Sequence, residues 1–199
     1  MRGLSLVALL CWAAPGALAA DGIKVWAESV AGSDVPFSIV EASIDAPASV
    51  VWSIVSTCND YAKTMPNIAK SKELSREGDP SSSFTTVCEV TADLPFPIGD
   101  LTSVSRAKHS VELDKRYERR WTMLSGDYDY NEGSWTIVAL SPTTSKATYK
   151  LRVRPKLPVP DKMLESFQSG TMPKIIEKLR GAAKARAAQA KPPVPAPPG

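Results

Sequence analysis

Histidine is almost absent from this chain of 199 residues, which contains His109 alone. A Ser-His-Asp triad would have to use that residue, but the sequence has no G-x-S-x-G elbow to present a nucleophile. One histidine with widely spaced cysteines does not supply a tetrahedral zinc site. A glycine-rich phosphate loop is also lacking. We therefore expect no enzyme activity, no metal and no cofactor.

A strong excess of charge of either sign is lacking too. The formal net charge is +3, which is too small to indicate binding of nucleic acid. The charge is nevertheless uneven, because no acidic residue follows Glu177. The basic residues beyond that point are Lys178, Arg180, Lys184, Arg186 and Lys191. This segment is interpreted either as a solvated helix end or as a contact with an anionic membrane surface, driven by electrostatic attraction.

The N-terminal residues 1–19 are typical of a secretory signal peptide. Arg2 precedes a short apolar run, and Ala17-Leu18-Ala19 matches the pattern of a cleavage site. The run is too short, and too interrupted by Pro15, to favour a permanent membrane anchor. We expect an exported protein, periplasmic or extracellular, whose mature chain begins near Ala20.

Cysteine is scarce, and the removal of a signal peptide would leave Cys58 and Cys88. In an oxidising compartment such a pair is compatible with a disulfide. Two separate buried thiols are the alternative, since free cysteine packs as a small apolar residue. The sequence does not fix the distance between them, so both interpretations stay open.

Residues 37–153 are dominated by short β-forming segments separated by turns. The order predicts a strand over residues 37–44, a helix over 48–59 and about six strands between residues 68 and 153. Residues 125–133 are polar and predict a turn. A long amphipathic helix follows over residues 161–188, with a kink at Gly170 and Pro173. Strands segregated from helices indicate an α+β fold with an antiparallel sheet.

The domain organisation follows from these boundaries. Residues 1–19 are the expected signal peptide, and residues 20–187 form one domain. Residues 188–199 form a proline-rich tail, which has too little apolar surface to pack and is expected to be disordered.

Four stretches of the chain resemble the START/polyketide-cyclase superfamily, which includes START lipid-transfer domains and coenzyme Q-binding proteins. They are residues 39–52, an entry strand, an Ala-Pro-Ala turn and a helix containing Trp52; residues 59–66; residues 94–100; and residues 133–180. The resemblance implies the helix-grip fold, in which a curved antiparallel sheet of about six to seven strands wraps a long C-terminal helix. Gly99 stands where START domains often carry arginine, so the ion-pair role of that arginine does not carry over.

The resemblance also implies a cavity between the sheet and the C-terminal helix. Without the resemblance, the large residues at those positions are simply core. They are Trp121, Met123, Trp135, Tyr149, Leu151, Met163 and Phe167. Arg106 is expected either to point into the cavity, where it would hold a polar group of the ligand, or to lie outward at an edge.

Other charged clusters favour structural roles. The basic residues near the 113–115 turn are expected mainly on the water-facing side, where long cationic chains extend to solvent. They are Lys115, Arg116, Arg119 and Arg120. Asp127, Asp129 and Glu132 are interpreted as a solvated turn rather than a calcium site.

The function implied by the resemblance is binding of a hydrophobic small molecule or lipid, such as a sterol, quinone, fatty acid or phospholipid, with transfer as an open extension. Two alternatives remain at this point. One is an enzyme similar to the polyketide cyclase/aromatase members of the superfamily, and the other is a ligand-free structural or interaction module with a filled core.

Overall fold

A single antiparallel sheet is built mainly from consecutive hairpins. This computed structural model describes residues 18–19, 22–96, 98–159, 162 and 170–190. Each pair of consecutive strands among the last six is hydrogen-bonded and antiparallel. These strands are β4 (Ile68–Asp79), β5 (Ser83–Leu94), β6 (Gly99–Glu112), β7 (Arg116–Gly126), β8 (Tyr128–Ser141) and β9 (Thr144–Pro155).

Three N-terminal strands complete the sheet on its other side. They are β1 (Leu18–Ala19), β2 (Ile23–Glu28) and β3 (Phe37–Ile44). β3 pairs with β9, so the order across the nine strands is β1-β2-β3-β9-β8-β7-β6-β5-β4. The sheet is open and curved, and β4 forms an edge with irregular pairing near Ile68 and Glu73. The predicted α+β helix-grip class is confirmed, with more strands than expected.

In the part of the chain that the structure describes, three helices of defined bounds lie against this sheet: α1 (Ala48–Val55), α2 (Tyr61–Thr64) and α3 (Met172–Ala190). α3 contacts β3 and α1, while α1 in turn contacts β8 and β9. In α3, Met172, Ile176 and Leu179 are fully buried, as the spacing of three or four residues on one helix face requires. Pro173 occupies the first turn of α3, where its missing N–H costs no helical hydrogen bond.

The core lies between α1, α3 and the inner face of the sheet. Trp52 of α1 stacks on Tyr117 of β7, with ring centroids 5.5 Å apart, and meets Phe84 edge-on at 6.4 Å. Trp135 and Ile137 of β8 are also buried. The apolar positions of the strands alternate with exposed ones, so one face of each strand supplies the core.

The turn predicted over residues 125–133 is wrong, because β8 begins at Tyr128. The charges that suggested a turn are instead held by neighbouring strands. Glu132 lies directly opposite Arg152 of β9, and the two side chains form an ion pair at 2.5 Å. Asp127 accepts a hydrogen bond from the backbone N–H of Thr102 at 2.7 Å.

Several predictions fall outside the described residues or at their margins. Of the expected signal peptide, only Leu18 and Ala19 are described, and they pair with Lys24 and Ile23. The first part of the predicted C-terminal helix, including residues 163–169, lies outside. α3 runs to Ala190, beyond the predicted domain end at residue 187, and the rest of the tail is not described. The domain boundaries and the signal peptide stay predictions.

Candidate functional site

A cavity of about 240 Å³ lies between the inner face of strands β5–β9, the α2 region and the start of α3. Its volume is slightly below the roughly 300–1,000 Å³ that is typical of small-molecule sites. Most of the described residues that line it are apolar or aromatic. The non-aromatic apolar ones are Met65, Pro66, Ile68, Val90, Ala92, Leu94, Ile98, Leu151, Val153, Pro155, Val159 and Ile175. The interior between sheet and helix is therefore not filled solid.

Three aromatic side chains form one wall of this cavity. Tyr149 of β9 stacks on Trp121 with ring centroids 5.8 Å apart, and it packs against Trp135 at 4.5 Å with the two rings tilted by 44°. Trp121 is fixed in orientation because its indole N–H donates to the Asn131 side-chain oxygen at 3.1 Å. Asn131 in turn donates to the Ser103 hydroxyl at 3.1 Å. The polar edge of Trp121 is thus satisfied within the protein.

The predicted wall residues divide into three groups. Trp121, Trp135, Tyr149 and Leu151 line the cavity. Met123 is half-buried further along β7 and is not among the lining residues. The structure describes neither Met163 nor Phe167.

Arg106 lies on the exposed face of β6, so the expectation that it lines the cavity is wrong. Its strand alternates strictly, and Ser105 and Ala107 on either side take the buried positions. The period of two along a strand therefore places Arg106 outward. The sequence also allowed an outward position for Arg106, and the structure shows that position.

Arg119 is the arginine that the cavity does contain, and the expectation that it faces water is wrong. Only 4% of this residue is exposed. Its guanidinium lies over the rings of Tyr61 at 5.5 Å and Trp121 at 5.2 Å. The alternation of side chains along the strand could have predicted this position. Arg119 lies two residues from Tyr117 and two from Trp121, so all three share the inner face of β7.

The phenols around the cavity are held in their neutral form. Burial raises the pKa of Tyr61 and of Tyr149. Burial also raises the pKa of Tyr128 to about 12, with a further contribution from the Asp127 carboxylate. At neutral pH these hydroxyl groups can donate or accept hydrogen bonds, but they do not act as anionic bases.

Cys58 and Cys88 are joined by a disulfide, with their Cα atoms 6.3 Å apart. Cys88 lines the cavity from β5, and Cys58 lies in the connection between α1 and α2. The bridge therefore fixes the α2 region, which carries Tyr61, against the sheet. Among the described residues, no group of three or more His, Cys, Asp and Glu side chains is placed to hold a metal ion.

His109 is buried outside the cavity wall. Its ring stacks on Phe84 with centroids 3.9 Å apart, and its Nδ1 lies 3.3 Å from the Phe84 carbonyl oxygen. Burial, reinforced by the positive charge of Arg119, lowers the pKa of His109 to about 3. The ring is therefore neutral in the folded protein at physiological pH and serves packing.

We expect stability to fall as the pH drops below about 6.5, because of His109. The unfolded chain takes up a proton there with the ordinary pKa of 6.5, while the folded ring stays neutral until about pH 3. The loss is absent above pH 6.5 and grows by up to about 1.4 kcal/mol per pH unit below it. Urea unfolding at pH 8 and pH 5 should differ by about 2 kcal/mol in the free energy of unfolding.

The variant His109→Leu tests this assignment, because it removes the titrating ring. Its free energy of unfolding should change much less between pH 8 and pH 5 than that of the wild type. The exposed carboxyls of Asp34 and Asp79, whose pKa values are lowered by hydrogen bonds, titrate below this range. An equal pH dependence in both proteins would contradict the role of His109.

The comparisons with known proteins bear on the fold and the family. A family profile described as polyketide cyclase/dehydrase and lipid transport matches residues 44–180. The chain belongs to this family. The superfamily resemblance drawn from the sequence is thereby confirmed. No curated protein matches the chain.

Solved structures show the same fold at low sequence identity. A STAR-related lipid transfer protein fragment from Xanthomonas axonopodis is 19% identical, with a TM-score of 0.71 over 85% of this chain and 97% of that one. Human StAR-related lipid transfer protein 5 is 13% identical, with a TM-score of 0.70 over 88% and 85%. The Zhui aromatase/cyclase from Streptomyces sp. R1128 is 14% identical, with a TM-score of 0.56 over 79% and 97%. At these identities the likeness shows a shared fold, which lipid-transfer proteins and a cyclase both use.

Proposed function

We propose that this family member binds an apolar small molecule or lipid in the cavity and carries it from one site to another. The observation that supports the proposal best is the aromatic and aliphatic wall around Tyr149, which encloses space rather than a filled core. Burial of apolar surface contributes roughly 0.8 kcal/mol per methylene group. A chain of about ten such groups therefore has enough transfer free energy for micromolar binding without any catalytic group.

The connection between β5 and β6 is the proposed entrance. Leu94 and Ile98, on either side of it, both line the cavity. Phe96 between them is 95% exposed, an unusual position for a large apolar side chain. Movement of this short segment would open the cavity without disturbing the strands, and Phe96 would meet an apolar surface first.

The binding experiment combines an identification with a titration. Organic extraction of the purified protein followed by mass spectrometry should recover a hydrophobic compound. The apolar fluorescent dye N-phenyl-1-naphthylamine should gain fluorescence on titration. Leu151→Trp, which fills the cavity, should abolish the gain, whereas Leu140→Trp at an exposed position should not. Absence of both a bound compound and a dye response would overturn the proposal.

A cyclase-like enzyme is the second candidate, favoured by the fold shared with the Zhui aromatase/cyclase and by polar groups in the cavity. Arg119 and Tyr149 are positioned to donate hydrogen bonds to a carbonyl oxygen. General base catalysis needs a group that accepts a proton near neutral pH. The described residues that line the cavity include no carboxylate and no histidine, which supports binding over catalysis. Conversion of an added polyketide-like substrate would instead favour catalysis over binding.

We also propose that the protein is exported, with cleavage near Ala20. The disulfide supports an oxidising compartment, where such bonds persist. No α-helix in the described part of the chain has the length and apolar character needed to span a bilayer. N-terminal sequencing of the protein from the periplasmic or culture fraction tests the cleavage, and an intact Met1 on the soluble protein would contradict it.

Contact of the basic C-terminal segment with anionic membranes is a further part of the proposal. Three of its side chains also bond to the domain: Lys178 donates to the Met65 carbonyl, Arg180 to that of Ser43 and Arg186 to that of Ser53. The membrane contact therefore depends most on Lys184 and Lys191. Each basic group near an anionic surface contributes about 1 kcal/mol, which salt reduces.

Charge variants test this contact better than truncation, since ending the chain early would remove the buried Leu179 and Ala183 of α3. Lys184→Gln/Lys191→Gln should pellet less with anionic vesicles at low salt than the wild type. Lys72→Gln/Lys108→Gln, on exposed strand positions, is the control with an equal charge change. Equal pelleting of all three proteins, insensitive to salt, would refute the contact.

A further inference from the structure

Arg119 is a buried arginine of the sheet that lacks an acidic partner. Its neighbours on the strands form ion pairs: Arg120 with Glu118, Arg152 with Glu132 and Arg154 with Asp34. Across the residues that the structure describes, no carboxylate lies within ion-pair distance of Arg119. A deeply buried guanidinium is thus left without a counter-charge.

The hydrogen bonds of Arg119 are also incomplete. Its Nη2 donates to the Cys88 Sγ at 3.7 Å, and a disulfide sulfur is a weak acceptor. Its buried Nε has no hydrogen-bond partner among the described residues. The faces of Tyr61 and Trp121 stabilise the cation in part. A guanidinium with five N–H donors nevertheless has most of its hydrogen-bonding capacity left.

Among the described residues, no nearby group supplies the missing negative charge. Glu73 is close enough to affect the pKa of Tyr61 together with Arg119, but its carboxylate is held by two hydrogen bonds from Arg76, at 2.8 and 2.7 Å. Tyr61 and Tyr149 stay protonated, and His109 is neutral. Burial of an uncompensated charge is strongly unfavourable, so the position fits a ligand that brings its own anion.

We propose that the cavity takes a single-chain amphiphile with an anionic oxygen head group, a carboxylate or a phosphate monoester, which pairs with Arg119 while the chain packs along the aromatic wall. This inference rests on the proposed function and specifies its ligand class. The planar fork of arginine matches both head groups with two parallel hydrogen bonds. The volume of about 240 Å³ suits one short chain rather than a two-chain lipid.

The experiment compares three probes with the same ten-carbon alkyl chain that differ only in the head group: undecanoic acid, decyl phosphate and decanol. Each displaces N-phenyl-1-naphthylamine from the wild-type protein in the same buffer, below the concentration at which the probe forms micelles. Because hydrogen bonds to charged groups contribute about 1.5–3 kcal/mol, at least one anionic probe should bind about 10- to 100-fold more tightly than decanol. The preferred anion identifies the head group as carboxylate or phosphate.

Two variants of Arg119 and one control locate the effect. Arg119→Met keeps an unbranched side chain of similar length without charge, and it should remove the preference for the anion while retaining decanol. Arg119→Lys keeps the charge but not the fork, and it should retain only part of the preference. Arg106→Met, on the exposed face of the adjacent strand, should bind all probes like the wild type. Thermal unfolding of each variant verifies that it is folded.

The possible results distinguish a failure of this inference from a failure of the proposed binding function. Displacement of the dye by decanol and the anions at equal affinity would overturn the inference and leave apolar binding intact. An anion preference that persists in folded Arg119→Met would also overturn it, since the head group would then bind elsewhere. No binding of dye or probes by the wild type would instead refute the proposed function itself.

Discussion

Removal of the bridge between Cys58 and Cys88 is expected to lower the free energy of unfolding by about 3–4 kcal/mol. The two cysteines are separated by 30 positions in the sequence, so the bridge closes a loop that restricts the unfolded chain. Urea unfolding with and without a reductant measures the difference. Reduction should also weaken dye binding, because the bridge holds the α2 region, with Tyr61, against the sheet.

The double variant Cys58→Ala/Cys88→Ala is the control for this measurement. It should resemble the reduced wild type in stability and should not respond to the reductant. A thiol titration of the denatured, unreduced wild type should find neither cysteine reactive. Two reactive thiols would show that the bridge does not form in solution.

Replacement of Gly133 by alanine should destabilise the protein and weaken its cavity. A Cβ at this position would lie 2.2 Å from the Lys150 carbonyl oxygen and 2.5 Å from Cζ2 of the Trp121 ring. β7 and β9 flank this residue of β8 directly, so neither neighbour can retreat without moving a strand. Overpacking of this kind costs about 1–3 kcal/mol. Displacement of Trp121 should also reduce dye affinity.

Gly181→Ala is a matched glycine replacement with the opposite expected sign. Gly181 lies within α3, and an added Cβ would meet no atom within 4 Å. The alanine should raise the free energy of unfolding by about 0.5–1 kcal/mol, since it restricts the unfolded chain and favours the helix. Urea unfolding of both variants measures the contrast, and equal effects would contradict the close packing at Gly133.

The sequence predicted the strands best where apolar and polar residues alternate cleanly. β3 has its expected bounds, and the buried positions of β6 and β7 recur at every second residue. The start of β8 was missed, since its charges are neutralised by residues distant in the sequence, as in the pair of Glu132 with Arg152. The composition of a segment does not reveal which distant residue will pair with its charges.

The cavity wall was predictable in part for the same reason. Aromatic residues on the inner faces of the strands line it whether they are considered core or binding surface, as Trp135 and Tyr149 do. The positions of the arginines were not fixed by the sequence, because charge suggested water for Arg119 and both an inward and an outward position stayed open for Arg106. The alternation of each strand determines which face its arginine occupies. Arg119 is two residues from Trp121 and shares its inner face, whereas Arg106 is next to Ala107, the residue paired with Trp121, and lies on the outer face.

The edge strand β4 has a consequence for how the protein behaves in a crowded compartment. An open sheet leaves its outermost strand exposed to strand addition from another chain, a route to aggregation. Here the edge is rich in charge, with Lys70, Lys72, Glu73, Arg76 and Glu77 along twelve residues, and its pairing with β5 shifts register twice. Charge and bulges both oppose the regular pairing that an incoming strand would need. The sheet can thus remain unclosed around its cavity without offering β4 as a regular template for a second chain.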